Sequence, residues 1–192
     1  MRFFTALSAI ALLGYPFAVY FGISEWGMGP VAGVLGVLFL IRVLAGHQAR
    51  LRELKYIAYL SGGAGITLAV LGSVFREHGW LLYYPVIVNG LMLGLFGASL
   101  WQSQTMIERF ARLQDPNLPE SGVRYTRKVT RVWCGFFVLN GAVALTTCFM
   151  PLSVWTLYNG LISYLLAGSL LAGEWLVRQR VLKKQVAESV VE

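Results

Sequence analysis

Five polar side chains lie within otherwise apolar stretches of this 192-residue sequence, and they are its strongest candidates for chemistry. They are Arg42, Asn89, Asn140, Asn159 and Glu174. Polar side chains are costly in lipid, so they usually face the interior of a helix bundle or a water-filled cavity. The three asparagines can hydrogen-bond between helices or line a polar pathway, and the sequence leaves both interpretations open.

The two charged members of this set, Arg42 and Glu174, belong to the same half of their respective helices. They can form an ion pair, or each side chain can extend to the nearby interface. A buried pair predicts that Arg42→Leu and Glu174→Leu each lower thermal stability in detergent, and that the double variant recovers it.

The titratable residues form no catalytic constellation. The apolar stretches contain no paired carboxylates, no histidine cluster and no nucleophile beside a base. His47 and His78 fall outside these stretches on opposite sides, so they cannot share a metal ion. We therefore expect a protein that is not an enzyme, with no catalytic, cofactor-binding or metal site.

The composition identifies the class of protein that holds these residues. Hydrophobic residues make up 57% of the chain and charged residues 13%, about half the ~25% that is usual in soluble domains. A soluble protein of this size could not bury so much apolar surface. Disorder is excluded as well, because 14% of the residues are aromatic. A membrane protein with several spans remains.

Six apolar runs reach or approach the ~20 residues that a membrane-spanning helix needs. The runs are Phe3–Ile23, Met28–Leu44, Tyr56–Phe75, Leu81–Trp101, Val132–Met150 and Val154–Val177. They predict an all-α, polytopic bundle of six transmembrane helices, with residues 1–192 as one transmembrane domain. The first run follows Arg2 and could be a signal peptide, but it lacks a small-x-small cleavage site, which favours a retained helix.

The basic residues predict the orientation of the bundle. Fifteen of the sixteen lysines and arginines fall on one side of this topology, and only Arg76 lies opposite. Basic residues beside spans stay in the cytoplasm, so both termini are predicted to be cytoplasmic in a bacterial inner membrane. The net charge of +7 then reflects topology and attraction to anionic membrane lipids, and it predicts no nucleic acid partner.

Repeated motifs predict how the helices are arranged. Asn89-Gly90-Leu91 recurs as Asn159-Gly160-Leu161, which suggests three helical hairpins. Small residues form a stripe on the third run: Ala58, Gly62, Gly65, Ala69 and Gly72. Such stripes allow close helix packing. We expect the packing to be within the chain, while a homo-oligomer is the alternative.

The largest extramembrane segments are a cytoplasmic loop over 102–131 and a basic cytoplasmic tail over 178–192. Thr105 and Glu108 have capping-box spacing at the start of a short amphipathic helix in the loop. Its two faces are expected to be Met106, Ile107, Phe110 and Leu113 on one side and Glu108, Arg109 and Arg112 on the other. The helix is expected on the inner membrane surface, or at a docking site for a partner.

Several short motifs resemble the intracellular septation protein A family. They are Tyr84-Pro85-Val86 through Asn89-Gly90, Ile107-Glu108-Arg109, Leu118-Pro119, Trp133, Phe136-Phe137, Asn140-Gly141 and Trp155. Arg124 to Thr130 and Leu157 to Leu161 look closer to a sister group of membrane proteins encoded near aryl polyene or fatty-acid-like lipid genes. The resemblance implies a role in cell-envelope synthesis and cell division, and it brings no catalytic residues.

Two functions follow from these observations. The first is a non-enzymatic scaffold or accessory factor for envelope synthesis or septation, with membrane lipids and envelope or division proteins as partners. The second is a small carrier or exporter of a lipid-like molecule, suggested by the asparagines, Glu174 and the implied gene neighbourhood.

Overall fold

The computed structural model describes residues 33, 35–40, 43, 52–75 and 79–189, and in this part of the chain all regular structure is helical. The all-α prediction is therefore confirmed for these residues. The first predicted span, Phe3–Ile23, lies outside them. Residues 33, 35–40 and 43, which belong to the second predicted span, are helical.

The described helices follow one another along the chain with short connections. They are α1 (Arg52–Phe75), α2 (Gly79–Leu82), α3 (Tyr84–Ser99), α4 (Met106–Arg112), α5 (Glu120–Thr147), α6 (Leu152–Leu157), a π-helical turn (Tyr158–Ile162) and α7 (Ser163–Ser189). Pro85 lies in the first turn of α3, where its missing N–H costs no helical hydrogen bond. The segments α6, π-helical turn and α7 continue one another and form one long helix.

Within the described residues, three helical segments are long and apolar enough to cross a membrane. They are Trp80–Ser99, Glu120–Thr147 and Leu152–Gln179. Large apolar side chains point outward along the last of these, including Leu165, Leu166 and Leu176. An outward apolar surface is the arrangement expected where lipid replaces water, so the structure agrees with a membrane protein.

Helices α3 and α5 pack against each other in opposite directions. Phe96, near the end of α3, lies 5.2 Å from Phe137 and 6.4 Å from Trp133 between ring centroids. At the other end, the thiol of Cys148, which follows α5, donates to the carbonyl oxygen of Leu82 at 3.3 Å. The two helices are therefore antiparallel: the end of α3 lies beside the middle of α5, and the start of α3 lies beside the end of α5.

Two clusters of buried apolar residues occupy the two ends of this pair. The Trp155 cluster consists of Leu35, Phe39, Leu68, Leu81, Tyr84 and Trp155. The Trp133 cluster consists of Phe96, Met106, Val129, Trp133 and Phe137. Between the two clusters, α3 and α5 carry the polar side chains of Asn89 and Asn140.

The small-residue stripe on α1 packs within the chain, as we expected. A Cβ atom at Gly62 would lie 2.5 Å from Cγ2 of Val43, and one at Gly65 would lie 2.5 Å from the ring of Phe39. Only glycine permits this approach. The fourth predicted span differs, since a Cβ at Gly90 or Gly94 would meet no described atom within 4 Å.

Helices extend into the predicted cytoplasmic loop and tail. Helix α5 begins at Glu120, whereas the apolar run predicted Val132, and α7 continues into the basic tail as far as Ser189. An apolar run marks where lipid surrounds a helix, but backbone hydrogen bonds extend the helix beyond the lipid. Residues 120–131 therefore form the first part of helix α5, and the connection between α4 and α5 ends at Pro119.

The amphipathic helix predicted in the loop is present as α4. The prediction placed Leu113 on its apolar face and Glu108 on its polar face, and the structure shows the reverse. The side chain of Glu108 is buried, while Leu113 is 53% exposed. Glu108 can be buried because its carboxylate accepts from Nε of Arg112 at 2.9 Å and from the backbone N–H of Thr105 at 3.4 Å. Met106 also packs into the Trp133 cluster, so α4 packs against the N-terminal half of α5.

Candidate functional site

A hydrogen-bonded chain of side chains crosses the bundle between the two apolar clusters. The hydroxyl of Tyr158 donates to Oδ1 of Asn140 at 2.9 Å, and Nδ2 of Asn140 donates to Oδ1 of Asn89 at 3.0 Å. Nδ2 of Asn89 then donates to the carbonyl oxygen of Pro85 at 2.8 Å. Three helical segments are joined through Asn140, and we call Asn89, Asn140 and Tyr158 the asparagine network.

The third asparagine makes a related contact further along α5. Nδ2 of Asn159 lies 3.0 Å from Oγ1 of Thr147 and 2.9 Å from the carbonyl oxygen of Trp155. Its Oδ1 is buried and accepts no hydrogen bond from a described residue. Asn159 lies in the π-helical turn, a rare geometry that commonly marks a local departure from regular packing.

The two copies of the repeated Asn-Gly-Leu motif share a local geometry. Asn89 and Asn159 each donate to the carbonyl four residues earlier, and each also bonds to a side chain of α5. Their surroundings differ, since Gly90 is exposed and Gly160 is buried. The three predicted asparagines thus make the interhelical hydrogen bonds of the first interpretation, and all three are at least nine-tenths buried.

A cavity of about 450 Å³ opens at the end of the bundle where the basic residues gather. We call this the basic end, defined by Arg109, Arg112, Arg124, Arg127, Lys128, Arg131 and Arg178. Helix α4, the connection after it, α5 and α7 all contribute to the cavity wall. Its apolar lining includes Ile107, Phe110, Leu118, Trp133 and Leu171. Its polar lining includes Gln114, Asp115, Tyr125, Glu174 and Arg178.

Tyr125 and Glu174 connect α5 to α7 beside the cavity. The hydroxyl oxygen of Tyr125 lies 3.1 Å from the backbone oxygen of Glu174 and 3.5 Å from its Oε1. Both residues are only partly buried. Glu174, which the sequence placed within an apolar run, therefore lies beside the cavity at the basic end, where its carboxylate faces Tyr125.

Arg178 lies one helical turn beyond Glu174 and also lines the cavity. Its guanidinium makes no hydrogen bond or ion pair with any described residue. A guanidinium carries five N–H donors and cannot lose its charge in a protein. This side chain therefore offers unused donors and a fixed positive charge at the mouth of an apolar cavity.

The remaining wall of the cavity is held by the connection between α4 and α5. Arg112 donates to Oε1 of Glu108 and, through a second nitrogen, to the carbonyl oxygen of Pro116 at 2.9 Å. Oδ1 of Asp115 accepts from the backbone N–H of Asn117 at 3.2 Å. These bonds add to the backbone hydrogen bonds from Gln114 and Asp115 to Ala111, and together they fix the turn.

Sequence reasoning named Glu174 but missed Tyr125, Trp133 and Arg178 as neighbours in one site. Glu174 and Arg178 are four residues apart, which places them on one face of α7. This spacing could have identified Arg178 as a neighbour of Glu174. Nothing in the sequence indicated that Tyr125 on α5 contacts this face of α7.

Arg42, His47 and His78 lie outside the described residues, and an Arg42–Glu174 pair stays a prediction. Within the described part of the chain, no group of three or more His, Cys, Asp or Glu residues is placed to hold a metal ion.

Comparison of the chain with known proteins identifies no relative. No family model, curated protein or solved structure matches the chain, so the resemblance to the septation protein family stays a prediction.

Proposed function

We propose that the protein is a non-enzymatic accessory factor of the bacterial inner membrane that supports cell-envelope synthesis or septation by binding a lipid-like molecule. The cavity at the basic end is the observation that carries this proposal. It combines an apolar wall with charged side chains at the end of helices that are long enough to cross a membrane.

The lining residues are ordered by polarity along the helix axes. On α5, Trp133 lies eight residues beyond Tyr125, or ~12 Å along the helix. On α7, Leu171 lies seven residues before Arg178, or ~10 Å. Because α5 and α7 run in opposite directions here, both place the apolar residue deeper in the bundle. A molecule with a polar head and an apolar tail matches this gradient.

The side chains of the cavity suit binding better than bond cleavage. Its lining contains no cysteine, serine or histidine, its threonine Thr126 donates to the backbone oxygen of Val123, and its two carboxylates, Asp115 and Glu174, have no such nucleophile beside them in the lining. Pockets that hold small ligands typically enclose ~300–1,000 Å³ and are mainly apolar with a few polar groups. A cavity of about 450 Å³ with this lining falls within that description.

The proposal includes a bundle of six spans with both termini in the cytoplasm. This topology would place the basic end, and therefore the cavity, at the inner leaflet of the membrane. We expect reporter enzymes fused after Trp26, His78 or Leu152 to report the periplasm, and fusions after Gln114 or Val186 the cytoplasm. A cytoplasmic signal after Trp26 would contradict the first span or its direction.

Lipid analysis of the purified protein tests the binding proposal. We expect a lipid-like molecule to co-purify with the wild type at a higher ratio to bulk phospholipid than in the membrane. Leu171→Trp should deplete it by placing a larger side chain in the cavity wall, whereas Leu165→Trp should not, because Leu165 is similarly exposed on the same helix but does not line the cavity. Identical lipid profiles in all three proteins would contradict a binding role for the cavity.

A carrier or exporter of the same molecule is the second candidate, and the cavity favours it for the same reason. A carrier must also release its ligand on the opposite side of the membrane. Movement of a labelled amphiphile between leaflets of proteoliposomes would support the carrier, and binding without movement would support the accessory factor. Neighbouring acyl-carrier and acyltransferase genes would favour a lipid-like ligand in either case.

A further inference from the structure

We infer that the ligand of the basic-end cavity is a single-chain amphiphile with an anionic head, and that Arg178 binds this head. The inference rests on the proposed function and specifies its ligand. Three observations carry it: the state of the charged groups at the cavity mouth, the size of the cavity, and the depth of its apolar wall.

The negative charges at the cavity mouth already have partners, whereas the positive charge has none in the described structure. Glu174 faces the hydroxyl of Tyr125, and Asp115 accepts the backbone N–H of Asn117. The guanidinium of Arg178 has no such partner. An anionic head placed at the cavity mouth therefore meets the unused N–H donors of Arg178.

Other arginines at the basic end do not offer the same opportunity. Arg112 is engaged by Glu108 and Pro116, and Arg127 donates to the carbonyl oxygen of Leu100 at 3.1 Å. Arg131 is exposed and does not line the cavity. Arg178 thus combines an available guanidinium with a place in the cavity wall, and a guanidinium binds carboxylate or phosphate through two parallel hydrogen bonds.

The size of the cavity favours one chain over two. Its volume of about 450 Å³ is in the lower half of the ~300–1,000 Å³ range for ligand pockets. Trp133 and Leu171 line its apolar end, and Leu171 lies seven residues before Arg178, or ~10 Å by helical rise. A fatty acid provides a carboxylate head and a lysophosphatidic acid a phosphate head, and both satisfy this description.

Quenching of Trp133 fluorescence tests the inference on the full-length protein in a non-ionic detergent. The probes are a chain-brominated fatty acid, a chain-brominated lysophosphatidic acid and a monoacylglycerol with the same brominated chain. Trp133→Phe identifies the part of the quenching that comes from the cavity. We expect at least one of the two anionic probes to bind about tenfold more tightly than the neutral probe.

Arg178→Gln should weaken binding of the anionic probe about tenfold and leave the neutral probe unchanged. Arg131→Gln is the matched control, because it removes one positive charge from the same end without touching the cavity. The two anionic probes separate a carboxylate from a phosphate head. Thermal melting of each variant verifies that it is folded before binding is compared.

Two different failures can be told apart. Equal quenching by neutral and anionic probes, unaffected by Arg178→Gln, would overturn the anionic head while the proposed binding of a lipid-like molecule stands. Equal losses in Arg178→Gln and Arg131→Gln would overturn the assignment to Arg178 in favour of general surface charge. Quenching that does not depend on Trp133 for any probe would overturn both the inference and the proposed function.

Discussion

The asparagine network and the basic-end cavity use the same kind of contact for different purposes. In each, a tyrosine hydroxyl approaches an acceptor on a neighbouring helix: Tyr158 on Asn140 in the network, and Tyr125 on Glu174 at the cavity. In the network the acceptor is 5% exposed, and its amide also donates to Asn89. At the cavity the groups are partly exposed, and a charged neighbour, Arg178, makes no hydrogen bond or ion pair with a described residue.

The difference follows from position along the helices. The network lies between the two apolar clusters, where a polar group without a partner would be costly because no water replaces the lost hydrogen bond. The cavity lies at an end of the bundle, where water and lipid head groups can satisfy polar atoms. Spare hydrogen-bonding capacity is therefore tolerated at the cavity, and this capacity is what a ligand can use.

The largest expected effect is on the centre of the network. Asn140→Leu removes the partner of both Asn89 and Tyr158, so we expect a loss of about 2 kcal/mol or more of stability, at ~1–3 kcal/mol for each buried group left unsatisfied. Thermal unfolding in detergent measures it. Thr146→Val is the control on the same helix, since Thr146 is exposed and bonds only to Ala142. Equal effects of the two changes would show that the network contributes no special stability.

A second expected effect concerns the close approach of α5 to Asn89. A Cβ atom at Gly141 would lie 3.1 Å from Cβ of Asn89, whereas one at Gly135 would meet no described atom within 4 Å. Gly141→Leu should therefore cost about 1–2 kcal/mol through overpacking, and Gly135→Leu should be neutral or slightly stabilising because leucine is the better helix former. Similar melting temperatures for the two variants would contradict the tight contact at the network.

The smallest effects come from a matched pair of tyrosines. Tyr158→Phe removes a donor from buried Asn140 and should cost about 1 kcal/mol. Tyr125→Phe should cost less than about 0.5 kcal/mol, because solvent can reach Glu174 at the cavity. Paired unfolding curves measure the difference. A larger loss in Tyr125→Phe would reverse the comparison and make the cavity contact a structural one.

Individual elements show how far sequence reasoning reached into the fold. The helical state of the described spans followed from apolar runs, and the internal packing of Gly62 and Gly65 followed from their spacing. The start of α5 at Glu120 did not follow, because a helix extends beyond the lipid without a change in apolar content. The burial of Glu108 did not follow either, since its cost is offset by Arg112 and the backbone of Thr105.

The site shows the same division more sharply. Asn89, Asn140 and Asn159 could be chosen from the sequence, because an amide within an apolar run must find a partner inside the bundle. Their actual partners required the structure, since Tyr158 bonds across to Asn140 through the π-helical turn. No rule of sequence spacing connects these two helices.

By itself, the sequence determined that the described spans are helical, that three segments are apolar enough to cross a membrane, and which polar residues they carry, because these depend on the local order of apolar and polar side chains. Only the tertiary structure decided that Trp133, Leu171 and Arg178 surround one cavity. The reason is physical: a cavity forms where side chains of separate helices fail to fill the space between them, and that depends on the packing of α4, α5 and α7 together.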